Sequence, residues 1–249
     1  MEITVLILAA FITSSISAVL GMGGGIILLG IMAIIIPEGY MVIAFHGIIQ
    51  LVSNISRAYV FRKHLVYSVI KSFFVGSVTG LVLSTLIIIF ITSSYQLDSA
   101  NDLKFDFLKP MIGLFILWYL FLKGPKKQKK SSFVFVGWVG GLSSVFIGAS
   151  GPLIAPFFLN DNFTKENIVA NKAACQALSH IGKIPIFFYL FHVNYISQIS
   201  TLLPLIIAVY IGTHFGKYIL GFIPEKVFRV LFKIALFLIC LLYTSQSPR

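Results

Sequence analysis

Apolar segments separated by short hydrophilic connectors recur along the whole chain. They cover residues 3–37, 40–61, 67–92, 107–122, 133–160, 166–191, 197–222 and 227–243. A helix needs about 20 predominantly apolar residues to cross the hydrocarbon core of a bilayer. The pattern therefore predicts an all-α polytopic membrane protein with about eight transmembrane helices.

Two of these segments, the first and the fifth, are too long for one straight helix, and both are interrupted. The first contains "GMGGG" at 21–25, and the fifth contains "GASGP" at 148–152. Glycine clusters and proline interrupt helices, and such interruptions survive in a bilayer only where protein or a cavity shelters the freed backbone. We therefore expect a glycine-broken helix or a re-entrant segment in each case.

The two interrupted segments also indicate an internal duplication. Gly21 in "GMGGGIILLG" aligns with Gly148 in "GASGPLIAPF", at an offset of 127 residues. This predicts a first transmembrane repeat at 1–125, a basic connector at 126–132 and a second repeat at 133–249, about four helices in each half. The repeats are parallel if each half crosses the membrane an even number of times and inverted if the number is odd. The sequence leaves both open, and transporters of both kinds have their site at the repeat interface.

A polar stripe follows each glycine break, on a segment that is otherwise apolar. The first stripe consists of His46, Gln50, Asn54 and Arg57. The second stripe consists of Lys172, Gln176, His180 and Lys183. Both follow the spacing i, i+4, i+8, i+11, which places four side chains on one face of a helix.

Ionisable side chains are costly inside a bilayer, so those of the stripes should face a bundle interior or a wet cavity. All eight Asp and Glu residues lie in connectors or at segment ends, which leaves the stripe cations without a carboxylate partner inside the membrane. Unpaired buried cations attract a mobile anion. In an alternative interpretation, Arg57, Lys172 and Lys183 reach towards the membrane interface and the amides only join helices.

The composition supports a membrane protein. Of 249 residues, 58% are hydrophobic and 11% are charged, and the net charge is +11. In a membrane protein, such a charge is typical of basic cytoplasmic loops, so we expect no nucleic-acid partner. Cys175 and Cys240 lie in apolar segments and match no metal-ligand spacing, and we expect neither a metal nor a cofactor.

The predicted anion site combines both stripes with the backbone of both glycine breaks, because exposed N–H groups at helix starts bind anions. The candidate substrate-binding residues are His46, Gln50, Asn54, Arg57, Lys172, Gln176, His180, Lys183, Gly23, Gly24, Gly25, Ser150 and Gly151. His46 and His180 are also candidates for proton coupling, since histidine titrates near neutral pH. Each histidine has an equally good structural interpretation as a hydrogen-bonded core residue.

These motifs resemble one known family. "GMGGGIILLG" with Pro37, "GASGPLIAPFFL" and "NKAACQALSHIGKIPIFFY" are similar to segments of the TauE/SafE sulfite exporters, also called the toluene-sulfonate uptake permease family. The resemblance covers essentially the whole chain. It implies transport of small sulfur-containing or organic anions such as sulfite, sulfonates and carboxylates. We expect a multi-pass protein of a prokaryotic inner membrane.

The preferred interpretation is therefore a secondary transporter of a small anion and not an enzyme, with the lipid bilayer as its other partner and protons as a candidate coupling ion. A passive anion channel would use the same cations. A purely structural role would leave two aligned stripes unexplained. One enzymatic alternative remains, because "GASG" at 148–151 fits the GxSG pattern of intramembrane serine proteases, with Ser150 and His180 as the dyad.

Overall fold

The computed structural model describes residues 2–96, 132–148, 150–159 and 163–245, without the side chains of residues 240 and 242–245. The predicted segment at 107–122 and nearly all of the predicted basic connector lie outside the described residues. Every regular element within the described ranges is helical, which confirms the predicted all-α class for that part of the chain.

The described part of the first half, residues 2–96, forms four α-helices. They are α1 (Glu2–Leu20), α2 (Gly24–Ile35), α3 (Gly39–Val60) and α4 (Tyr67–Ser94), with a 3₁₀ turn at Arg62–His64 before α4. The predicted interruption of the first segment separates α1 from α2. Gly21 and Gly23 have φ angles of +71° and +94° there, a backbone conformation that favours glycine and ends a helix.

The described part of the second half also begins with a helix that ends at a glycine. Its helices are α5 (Phe133–Ile147), the short α6 (Gly151–Ile154) with a 3₁₀ continuation (Ala155–Phe158), α7 (Lys165–Leu190), α8 (Ile199–Gly221) and α9 (Glu225–Ser245). Gly148 ends α5 with a φ of +78°. Pro152 occupies the first turn of α6, where a missing N–H costs nothing. Both predicted glycine breaks are therefore present.

Four of the described helices, α1, α3, α4 and α8, are long and apolar enough to cross a membrane. The apolar helices α2 and α5 are shorter, with 12 and 15 residues. At 26 residues α7 is long enough, but its polar stripe lowers its hydropathy. The helix that carries the second stripe is thus long enough to span a membrane but not among the four apolar spans.

Small residues allow the helices to approach each other closely. Gly76 and Gly80 of α4 lie against the backbone of α5 at Val134 and Trp138, and Gly137 of α5 lies against Phe73 of α4. A Cβ atom at any of these glycines would collide with a backbone carbonyl oxygen. Such close backbone packing is a main source of helix association where no hydrophobic driving force exists.

Helices α3 and α7 cross in opposite directions. At the end of α3, the carbonyl of His64 accepts hydrogen bonds from Asn167 (2.7 Å) and Asn171 (3.0 Å) at the start of α7. Near the start of α3, Gly47 lies against the side chain of Lys183, late in α7. The two stripes are consequently brought face to face in antiparallel order.

Candidate functional site

All eight stripe side chains are buried, and none is more than 9% exposed. The three cations among them are almost completely buried: Arg57 is 2% exposed, and Lys172 and Lys183 are each 1% exposed. None of them reaches the protein surface. The interpretation in which these cations extend to the membrane interface is therefore wrong.

The stripes bind backbone carbonyl groups at the glycine breaks. Lys172 Nζ donates to Gly21 O (2.9 Å), and Lys183 Nζ donates to Gly148 O (3.2 Å). His46 Nε2 bonds Gly25 O at 2.7 Å and must donate, since a carbonyl only accepts. The contacts seen at these breaks thus involve carbonyl oxygens, whereas the sequence directed attention to the backbone N–H groups.

Arg57 is held by oxygen atoms that carry no formal charge. Its Nη2 donates to Asn54 Oδ1 (2.6 Å), its Nη1 to Ser17 O (3.1 Å) and its Nε to Ser53 O (3.3 Å). Among the described residues, neither Arg57 nor either stripe lysine forms an ion pair with a carboxylate. The positive charge of these side chains is therefore hydrogen-bonded but not neutralised by a carboxylate of the described residues.

A cavity of about 20 Å³ lies between the stripes and the breaks, with room for roughly one water molecule. Nine of the predicted residues line it: Gly23, Gly25, His46, Gln50, Arg57, Gly151, Lys172, Gln176 and His180. Both halves of the chain therefore contribute residues to this cavity.

The other four predicted residues lie outside this lining. Gly24 packs against the backbone of α1 at Thr13, and Asn54 lies behind Arg57 as its hydrogen-bond acceptor. Lys183 lies against Gly47, and Ser150 precedes α6. They support the cavity and do not line it.

The sequence reasoning missed four lining residues: Ser17, Met22, Ile26 and Pro152. Met22 and Pro152 lie within the glycine breaks and Ile26 directly follows the first one, so a candidate set with all residues of the breaks and their immediate neighbours would have included these three. Ser17 comes from α1, and its carbonyl oxygen holds Arg57. A backbone contact of this kind leaves no signal in the sequence.

Unpaired polar atoms concentrate at the same place. Five buried side-chain N or O atoms of the described residues lack a hydrogen-bond partner, and four are His46 Nδ1, Asn54 Nδ2, Ser150 Oγ and His180 Nδ1. The rings of His46 and His180 lie edge to face with centroids 6.1 Å apart. Since buried polar atoms are normally paired, such a concentration is typical of a site that binds a polar ligand.

The protease dyad does not form. Ser150 Oγ has no hydrogen-bond partner among the described residues, so it makes no bond to His180. A nucleophilic serine must lie within hydrogen-bond reach of its base. In the same part of the chain, no group of three or more His, Cys, Asp or Glu side chains is arranged to hold a metal ion.

The fold and the site define an integral membrane protein with a buried cationic centre between helices of its two halves. The chain belongs to the sulfite exporter TauE/SafE family, whose model matches residues 6–243. This confirms the resemblance seen in the glycine motifs and assigns the protein to a family of membrane transporters. Comparisons with curated proteins and with solved structures gave no significant match.

Proposed function

We propose that the protein is a secondary transporter of a small anion, sulfite or a related sulfur-containing or organic anion, in a prokaryotic inner membrane. One observation carries this proposal: Arg57 and Lys172, buried cations with no carboxylate partner among the described residues, line one cavity together with His46 and His180, whose Nδ1 atoms are unpaired. An uncompensated buried charge is strongly unfavourable. An anion entering the cavity compensates it.

The cations have hydrogen-bond donors left for such an anion. Lys172 Nζ carries three N–H donors and uses two, on Gly21 O and Gln176 Oε1. Arg57 lines the same cavity, and the guanidinium keeps N–H groups beyond the three that it commits. These two cations bind the anion, and His46 and His180 bond it or carry a coupled proton.

The antiparallel crossing of α3 and α7 supports inverted repeats at 1–125 and 133–249, an arrangement in which each half crosses the membrane an odd number of times. In an inverted pair, the equivalent residues Gln50 and Gln176 meet near the two-fold axis, and both line the cavity. A carrier built this way exposes its site alternately to the two sides as the halves exchange conformations. A passive channel needs no such exchange.

The test is sulfite binding and flux with the purified protein, first as a thermal shift and then in liposomes. A ligand of the folded state raises the melting temperature by mass action. Lys172→Gln removes one cavity cation and should weaken sulfite binding by roughly 10- to 100-fold, the loss expected for a hydrogen bond to a charged group.

The matched control is Lys63→Gln, which removes a lysine from the exposed 3₁₀ turn and should leave binding unchanged. Wild-type protein that is not stabilised by sulfite, sulfate, sulfonates or small carboxylates would contradict the proposal. Rapid flux that is indifferent to pH and never runs against a gradient would identify a channel instead.

A further inference from the structure

Each half of the protein contains a contact between a glycine and a glutamine that lies 25 residues further along the chain. Gly25 of α2 lies against Gln50 of α3, and Gly151 of α6 lies against Gln176 of α7. A Cβ atom would come within 3.0 Å of Gln50 Oε1 at the first glycine and within 2.6 Å of Gln176 Nε2 at the second. A Cβ atom at either glycine would therefore displace the amide end of the facing glutamine.

Both amide groups occupy space that a ligand would need. Gln50 and Gln176 line the cavity of about 20 Å³, so even a compact oxyanion must displace their amide groups, and an anion with an organic substituent must displace them further. A hydrogen bond also restrains the Gln176 side chain, because its Oε1 accepts from Lys172 Nζ at 2.8 Å. Lys172 is itself fixed to Gly21 O at 2.9 Å. The amide of Gln176 therefore has a glycine backbone on one side and a fixed cation on the other.

We propose that Gln50 and Gln176 set the size limit of the anion site and restrict it to compact inorganic oxyanions, excluding sulfonates and carboxylates with an organic substituent. This inference rests on the proposed anion transport and narrows its substrate class. The charged head group binds Arg57 and Lys172 in every case. An added methyl or longer group needs volume that the two amides occupy.

The first measurement compares sulfite with methanesulfonate and ethanesulfonate, which carry one and two carbons on the sulfur. Dissociation constants come from thermal shifts of the wild-type protein, and competition against sulfite flux in liposomes checks them. We expect methanesulfonate to bind at least tenfold more weakly than sulfite and ethanesulfonate more weakly still.

The second measurement enlarges the cavity. Gln50→Ala and Gln176→Ala should narrow the sulfite preference over methanesulfonate by at least tenfold, whereas Gln198→Ala, at a half-buried glutamine outside the cavity lining, should leave it unchanged. If either alanine variant does not fold, Gln50→Asn or Gln176→Asn shortens the side chain by one methylene and should shift the preference in the same direction.

The outcomes separate the two proposals. Wild-type protein that binds both organic sulfonates as tightly as sulfite overturns the size limit and leaves anion transport standing. A preference that none of the glutamine variants changes also overturns it. Wild-type protein that binds no anion overturns the proposed function, and the size limit with it.

Discussion

Three glycines of α2 have very different surroundings, although they lie within seven residues of each other. A Cβ at Gly24 would collide with the backbone carbonyl of Thr13 in α1. A Cβ at Gly25 would meet only the flexible end of Gln50, at 3.0 Å, and one at Gly30 would have nothing within 4 Å. Helix packing therefore requires glycine at position 24, the position of Gln50 in the cavity depends on glycine at 25, and neither depends on Gly30.

We predict three distinct results for the alanine substitutions. Gly24→Ala should disrupt the packing of α2 on α1 and strongly lower the melting temperature. Gly25→Ala should fold but lose sulfite-induced stabilisation, because the new methyl group pushes Gln50 into the cavity. Gly30→Ala should keep binding and gain up to about 1 kcal/mol from the higher helix propensity of alanine.

Melting temperatures with and without sulfite, measured on the three purified variants, distinguish these results. Gly30→Ala is the matched control, since it makes the same change in the same helix. Unchanged sulfite binding in Gly25→Ala would contradict this prediction, because it would mean that the Gln50 side chain moves aside without entering the cavity.

At the scale of the helices, one buried side chain, Asn171, connects the segment after α3 to the start of α7. Asn171 Oδ1 accepts from Val66 N (2.7 Å), and its Nδ2 donates to His64 O (3.0 Å). Asn171 is fully buried. It therefore fastens the connector after α3 to the first turns of α7 and fixes the register in which the stripes meet.

We predict that Asn171→Ala destabilises the protein by roughly 1–3 kcal/mol, because Val66 N loses its acceptor while His64 O keeps its bond from Asn167. Thermal unfolding in detergent measures the loss. Asn194→Ala is the control, since Asn194 bonds backbone N–H groups of an exposed connector and should matter far less. An Asn171→Ala variant as stable as the wild type would show that the rest of the α3–α7 contact sets the register alone.

The glycine breaks and the polar stripes could be predicted from the sequence, because each depends on residues that are close together along the chain. The breaks at 21–25 and 148–152 follow from glycine and proline, and the stripes follow from a spacing of three to four residues. The hydrogen bond of Arg57 to Ser17 O could not be predicted, since it depends on how α1 packs against α3. The contacts of Lys172 and Lys183 with the break carbonyls depend on packing between the halves in the same way.

At the scale of the whole molecule, the antiparallel crossing bears on the question that the sequence left open. Parallel repeats would carry α3 and α7 across the membrane in the same direction, whereas inverted repeats carry them in opposite directions. His64 follows α3 and His192 follows α7, and both side chains are exposed. The two residues thus follow equivalent ends of the two stripe helices. If they lie on opposite sides of the membrane, the repeats are inverted; if they lie on the same side, the repeats are parallel.

We predict that His64→Cys and His192→Cys are labelled from opposite sides of the membrane by an impermeant maleimide, in a background with Cys175 and Cys240 replaced by serine. Thr164→Cys serves as the same-side control for His64, because Asn167, which bonds Thr164, also bonds the His64 carbonyl. Labelling of His64→Cys and His192→Cys from one side would rule out inverted repeats. Labelling from opposite sides would place Gln50 and Gln176 near the two-fold axis that relates inverted repeats. A site at this axis can open alternately to the two sides of the membrane.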